Sequence, residues 1–162
     1  MESIRYLGHM IRPDRLKMDP AKIKVIQDWP EPQKVKDIQS FLGFANFYRH
    51  YIQNYLDIVV PLTCLTRKNM PWNFDEKCKL AFLSLKQAFM SAPVLTHYKP
   101  DCLLVIETDA SDYALAAILS QIEPNGEIHL ITYLSRTFLD TKLNYDTHDK
   151  ELMAIYEAFQ AW

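Results

Sequence analysis

The sequence predicts an α+β protein, a helix-rich N-terminal part followed by three antiparallel strands and a closing helix. Three observations carry that expectation. Apolar residues recur at helical spacing in the segments before residue 92. From Leu103 the pattern changes to short strand-like runs with a Pro124-Asn125-Gly126 turn signal between the second and third. After Asp146 the helical spacing returns and continues to Trp162.

Taken in order, Ile4 to Met18 reads as a hairpin, with Pro13-Asp14-Arg15 as its turn. Asp19-Pro20 is an N-cap followed by proline at the first helical position, and the helix runs to about Trp29, where Pro30 and Pro32 end it. A second helix covers Val35 to Tyr51, with Val35, Ile38, Leu42 and Ala45 on its apolar stripe. Pro61 and Pro71 bracket a connecting stretch with a short helical turn at Leu62 to Thr66. Trp72-Asn-Phe74 is a short extended segment. Asp75 caps a third helix through Cys78, Ala81, Phe82, Leu85 and Phe89, and Pro93 stops it. The strands are Leu103 to Thr108, Ala114 to Gln121 and Ile128 to Ser135. The first contains an apolar run, Leu103 to Ile106, that reads as buried. The final helix places Leu152, Ile155, Phe159 and Trp162 on its core side.

With 162 residues and 49% apolar content the chain has enough material for real cores and is not disordered. It has no signal-peptide pattern and no apolar stretch of 18 residues, which points to an intracellular, cytoplasmic or nuclear protein that neither spans a membrane nor is secreted. Cys64, Cys78 and Cys102 match no zinc spacing and read as reduced thiols. Charge is uneven. Residues 1–55 carry nine Lys/Arg against six Asp/Glu, and residues 99–162 carry four against eleven. A basic front half suits phosphates, whereas an acidic back half repels nucleic acid unless divalent cations intervene.

Two features carry chemistry. The apolar run from Leu103 delivers Glu107 and then Asp109, and Glu151 follows on the last helix. A carboxylate at the end of a strand is costly without a counter-ion, so Asp109 suggests a metal site. The second feature lies on the Val35 to Tyr51 helix, where Gln39, Gly43 and Phe47 form a polar–small–aromatic stripe at i, i+4 and i+8. Glycine inside a helix costs about 1 kcal/mol relative to alanine. Gly43 therefore permits close approach, either of another helix or of a nucleic-acid backbone.

The motifs Tyr6-Leu-Gly-His9, Met18-Asp-Pro20, Phe41-Leu-Gly-Phe-Ala-Asn-Phe-Tyr-Arg49, Pro61-Leu-Thr63, Ala92-Pro-Val-Leu95, Glu107-Thr-Asp-Ala-Ser-Asp112 and Lys150-Glu-Leu-Met-Ala-Ile155 occur in this order across nearly the whole chain. In that combination the chain resembles the reverse transcriptase–ribonuclease H region of a gypsy-like long-terminal-repeat retrotransposon polyprotein. The resemblance implies three parts: a primer-grip hairpin with thumb-like helices over residues 1–55, a connecting helical segment over 56–98, and over 99–162 the N-terminal half of an RNase H-like domain, truncated to three antiparallel strands plus a helix.

The resemblance also assigns roles. Tyr6, Leu7 and Gly8 look like the primer grip. Gln39, Gly43 and Phe47 look like the thumb surface that follows the minor groove of an RNA–DNA hybrid or other duplex. Asp109 and Glu151 match the first two catalytic carboxylates, which in the complete family site hold two Mg²⁺ ions about 4 Å apart. The palm motif Tyr-x-Asp-Asp is not in the sequence, and no counterpart of the later RNase H aspartates follows Glu151. Two carboxylates hold Mg²⁺ weakly. Arg15 stands where the family has glycine in the hairpin turn, which would strain a turn needing positive φ.

The expected function is that of a catalytically incomplete piece of the polyprotein that retains binding to RNA–DNA hybrids. The alternatives are a Mg²⁺-dependent ribonuclease H completed by a homodimer or by the remaining polyprotein segments, and a repurposed protein-interaction module. An open strand edge and an uncovered apolar helix face are further expectations, covered either by the thumb-like helices or by a second copy.

Overall fold

The computed structural model describes residues 3–138 and 145–162. Strands β1 (Ile4–Tyr6), β2 (His9–Ile11) and β3 (Arg15–Met18) form consecutive antiparallel pairs, and β4 (Leu95–Thr96) joins β3 to complete a four-stranded sheet. The stretch from Ile4 to Met18 is therefore two hairpins, not one. The additional turn is Leu7-Gly8, between the paired residues Tyr6 and His9. Both turn residues have positive φ, 46° and 80°, as a two-residue turn between twisted strands requires. Arg15 is not strained, since it is a residue of β3 paired with Thr96 of β4 and does not have a positive φ.

Asp19 caps α1 (Pro20–Gln27) by accepting the Ala21 N–H at 2.9 Å, and its other carboxylate oxygen meets Arg5 at 3.2 Å. Helix α2 spans Val35–Phe47, and the last part of the expected helix tightens into a separate 3₁₀ turn, Arg49–Tyr51. The connecting stretch holds more helix than its prolines suggest. Helix α3 runs Tyr55–Leu65 with Pro61 inside it. An internal proline costs about 3 kcal/mol, but Tyr55, Val59, Leu62 and Leu65 are all buried along one face and offset that cost. Helix α4 (Glu76–Met90) begins at Asp75, whose carboxylate accepts the Cys78 N–H, and buries all five residues of its expected core face.

The larger core combines Met18, Ile26, Ile38, Phe41, the α3 stripe, the α4 stripe and Leu95. Strands β5 (Leu103–Ala110), β6 (Ala114–Ile122) and β7 (Ile128–Thr137) form a separate antiparallel sheet in the order β5-β6-β7. Strand β6 is the central, buried strand. Strand β5 lies at an edge, so Leu103 and Leu104 are exposed and the run read as buried is not. Helix α5 (Thr147–Ala161), capped by Asp146, packs on one face of this sheet through Ala154, beside Leu115, Leu134 and Phe138. The expected core side of α5 is reversed. Leu152, Ile155, Phe159 and Trp162 point outward, while the small Ala154 and Ala158 face inward and let the helix sit close to the sheet. Among the described residues no helix is long and apolar enough to cross a membrane.

Candidate nucleic-acid and carboxylate sites

The first site is built where the β1–β2 turn meets the end of α2. Tyr6 and Leu7 are exposed at the turn, and Gly8 packs so tightly on Tyr48 that a Cβ there would overlap the phenol oxygen. The carbonyl of Gly8 accepts the Asp19 N–H at 2.9 Å, which fixes the turn to the start of α1. On α2, Gln39, Gly43 and Phe47 all lie on the exposed face. A Cβ at Gly43 would meet nothing within 4 Å, so no helix packs there and the opening faces outward.

His9 joins the two surfaces. Its ring lies 5.8 Å from Phe47, 5.5 Å from Tyr48 and 5.8 Å from Tyr51. Burial, with His50 nearby, lowers its pKa from the ordinary 6.5. Burial also pushes the Tyr51 phenol well above its usual value. The Tyr51 hydroxyl and His9 Nδ1 share a hydrogen bond of 2.9 Å. The strand after the turn thus meets the last residue of the stripe, Phe47, on a shared aromatic base. The sequence shows His9 only as the last residue of the Tyr6-Leu-Gly-His9 motif. Its partners lie about forty residues away, and the turn glycine beside it was the available signal.

The second site lies at the end of β5. Asp109 pairs across β6 with Ala116, which pairs with Ser135 on β7. Strand alternation puts these three on one face. The start of α3 sits over that face, where the Leu56 N–H donates to Ser135 Oγ at 3.2 Å. Gln53 and Asn54 then oppose Glu107 and Asp109 across a cavity of about 230 Å³. Asp109 Oδ1 accepts its neighbour's Ala110 N–H at 2.9 Å. Glu151 is exposed on the first turns of α5, which packs on the other face. The two carboxylates thus stand on touching elements, β5 and α5. Among the described residues no three His, Cys, Asp or Glu side chains gather at one point. The two carboxylates lining the cavity, Glu107 and Asp109, are fewer donors than two magnesium ions require.

A family model described as an RNase H-like domain found in reverse transcriptase matches residues 74–162. The Pol polyprotein of transposon 297 from Drosophila melanogaster is 41% identical over 151 residues, covering 93% of this chain and 14% of the polyprotein. The gypsy Pol polyprotein of the same organism is 36% identical over 167 residues, covering 95% and 16%. The Tf2-3 polyprotein of Schizosaccharomyces pombe is 30% identical over 159 residues, covering 98% and 12%. The chain thus spans about a seventh of the length of the curated relatives it matches.

Among solved structures, the foamy viral protease-reverse transcriptase in complex with RNA/DNA hybrid superimposes with a TM-score of 0.79 at 23% identity, covering 98% of this chain and 22% of that one. A dRH form of the same enzyme with double-stranded DNA gives 0.81 at 23%, covering 98% and 28%. These show a shared fold. The relatives place the likeness in the reverse transcriptase–RNase H region of gypsy-like retrotransposon polyproteins. The chain belongs to the family of RNase H-like domains found in reverse transcriptases.

Proposed function

We propose that this chain acts as a duplex-holding segment of a retrotransposon reverse transcriptase–RNase H, gripping an RNA–DNA hybrid and not cleaving it alone. The observation that supports this reading is that the exposed Tyr6-Leu7 turn and the exposed Gln39–Gly43–Phe47 stripe meet through the His9–Phe47 ring contact. Gln39 offers hydrogen bonds to sugars or base edges, Gly43 leaves room for the backbone, and Phe47 packs on a sugar. Such contacts tolerate sequence. In this reading residues 1–55, 56–98 and 99–162 act as grip and thumb, connection, and N-terminal half of the RNase H-like part, in an intracellular setting.

Titrating a labelled RNA–DNA hybrid tests the proposal. Binding should weaken steeply with salt. Gln39→Ala and Phe47→Ala should each weaken it about tenfold; unchanged affinity in both would sink the reading.

A second reading is favoured by one observation, that Asp109 and Glu151 stand on touching elements. Two Mg²⁺ ions would supply an activated water and charge stabilisation if a partner chain or further polyprotein segments added carboxylates. Magnesium-dependent cutting that disappears in Asp109→Asn would establish it.

A further inference from the structure

The start of α3 does more than cover the sheet. Asp57, in its first turn, accepts a hydrogen bond from Ser111 Oγ at 2.6 Å. Ser111 is the pivot of the turn that follows Asp109. Its hydroxyl oxygen accepts from the Ala114 N–H at 3.0 Å and the Tyr113 N–H at 3.3 Å, and its own N–H donates to the Ala114 carbonyl at 2.9 Å. The hydroxyl proton has two acceptors in reach, the Ala114 carbonyl at 3.0 Å and the nearer Asp57 carboxylate at 2.6 Å, and the shorter, charged one holds it. A charged acceptor makes this the strong bond of the set. One residue earlier, Leu56 N–H holds Ser135 at the far end of the Asp109–Ala116–Ser135 row. Two further back, Asn54 has φ 51°, and this left-handed entry brings Gln53 and Asn54 against the cavity that Asp109 lines.

The geometry points to Asp57 as a positioning residue for Asp109: by fixing Ser111 it holds the end of β5 so that the Asp109 carboxylate keeps one orientation toward the α3 side. The arrangement links the two sites mechanically, because α3 also packs against α2 and its buried face is part of the core beneath the Gln39–Phe47 surface. A duplex held on α2 and a carboxylate on β5 then keep a constant spacing. This inference rests on reading Asp109 as a carboxylate of metal-ligand origin.

The test compares the wild-type chain with Asp57→Ala and Asp57→Asn by nuclear magnetic resonance. The χ1 couplings of Asp109 report its rotamer, those of Asp14 serve as a distant control, and thermal midpoints monitor folding. Wild type should show one dominant Asp109 rotamer. Asp57→Ala should average it, with Asp14 unchanged. Asp57→Asn, which keeps an acceptor oxygen, should restore it. An Asp109 rotamer unmoved by Asp57→Ala, or averaged equally in both variants, would overturn the proposal. Added Mn²⁺ tests the underlying reading separately. Broadening of Asp109 and Ala110 in wild type should need about threefold more ion in Asp57→Ala. If Mn²⁺ broadens neither signal in wild type, the metal-ligand reading fails, while the rotamer comparison still decides the role of Asp57.

Discussion

The Tyr51 hydroxyl lies 2.9 Å from His9 Nδ1 and ties the strand after the first turn to the end of the α2 region. The sequence separates these groups by 42 residues. This one bond, with the ring contacts around it, brings the exposed turn and the exposed stripe together.

The partly buried His9 ring makes stability depend on pH. Burial first, and the charge on His50 second, hold the His9 imidazole below its ordinary 6.5. As pH falls the unfolded chain takes up this proton before the folded one does. The stabilisation is therefore complete above about pH 6.5 and is lost as pH drops through the lowered folded value. Urea denaturation between pH 8 and pH 5 should show wild type losing stability in that window. His9→Gln should show a shallower fall.

The turn at Leu7-Gly8 stores strain at the proposed contact. Leucine at φ 46° costs about 1–2 kcal/mol. Leu7→Asn should recover roughly 1 kcal/mol of stability and weaken hybrid binding. Gly8→Ala should cost about 2 kcal/mol or more, because positive φ and the Tyr48 contact act together. Gly126→Ala separates the two effects, since Gly126 has φ 83° but open space around it. Its cost should be nearer 1 kcal/mol. Urea midpoints at constant slope measure all three.

Gln121 is a fully buried amide on β6 that holds the chain entering β5. Its Oε1 accepts the Lys99 N–H at 3.0 Å and its Nε2 donates to the His97 carbonyl at 3.3 Å. Gln121→Leu keeps the volume but leaves both backbone groups without this partner. The expected cost is about 1–3 kcal/mol. Hydrogen exchange at the Lys99 amide should accelerate at the same time.

The outward face of α5 predicts a contrast between neighbouring residues. Leu152 and Phe159 are 65% and 68% exposed, so Leu152→Ser and Phe159→Ser should each change stability by about 0.5 kcal/mol or less. Ala154 is fully buried against the sheet, and Ala154→Leu should cost about 1–3 kcal/mol by overpacking. Sedimentation at rising concentration should show the two serine variants self-associating less than wild type.

The parts of the fold legible in the sequence were those decided by neighbours along the chain. Asp19, Asp75 and Asp146 each cap a helix through a bond two or three residues long, and each is visible as an acidic residue before an apolar period. Helix α3 was not legible. Pro61 speaks locally against a helix, and only burial against α4 overrules it. The Leu7-Gly8 turn was missed because leucine has no local preference for positive φ. On α5 the large side chains suggested the wrong face, since close approach to a sheet selects for alanine. The Gln39–Gly43–Phe47 stripe was readable from spacing alone. Its base of His9, Tyr48 and Tyr51 was not, because tertiary contact creates it.

Pro61 has a consequence of its own. It carries no N–H, so the Asp57 carbonyl four residues earlier gets no helical bond from it. The rung is missing just above the turn whose side chain holds Ser111. That carbonyl is left to another donor, while the buried face of the same helix still holds the two sheets at one separation.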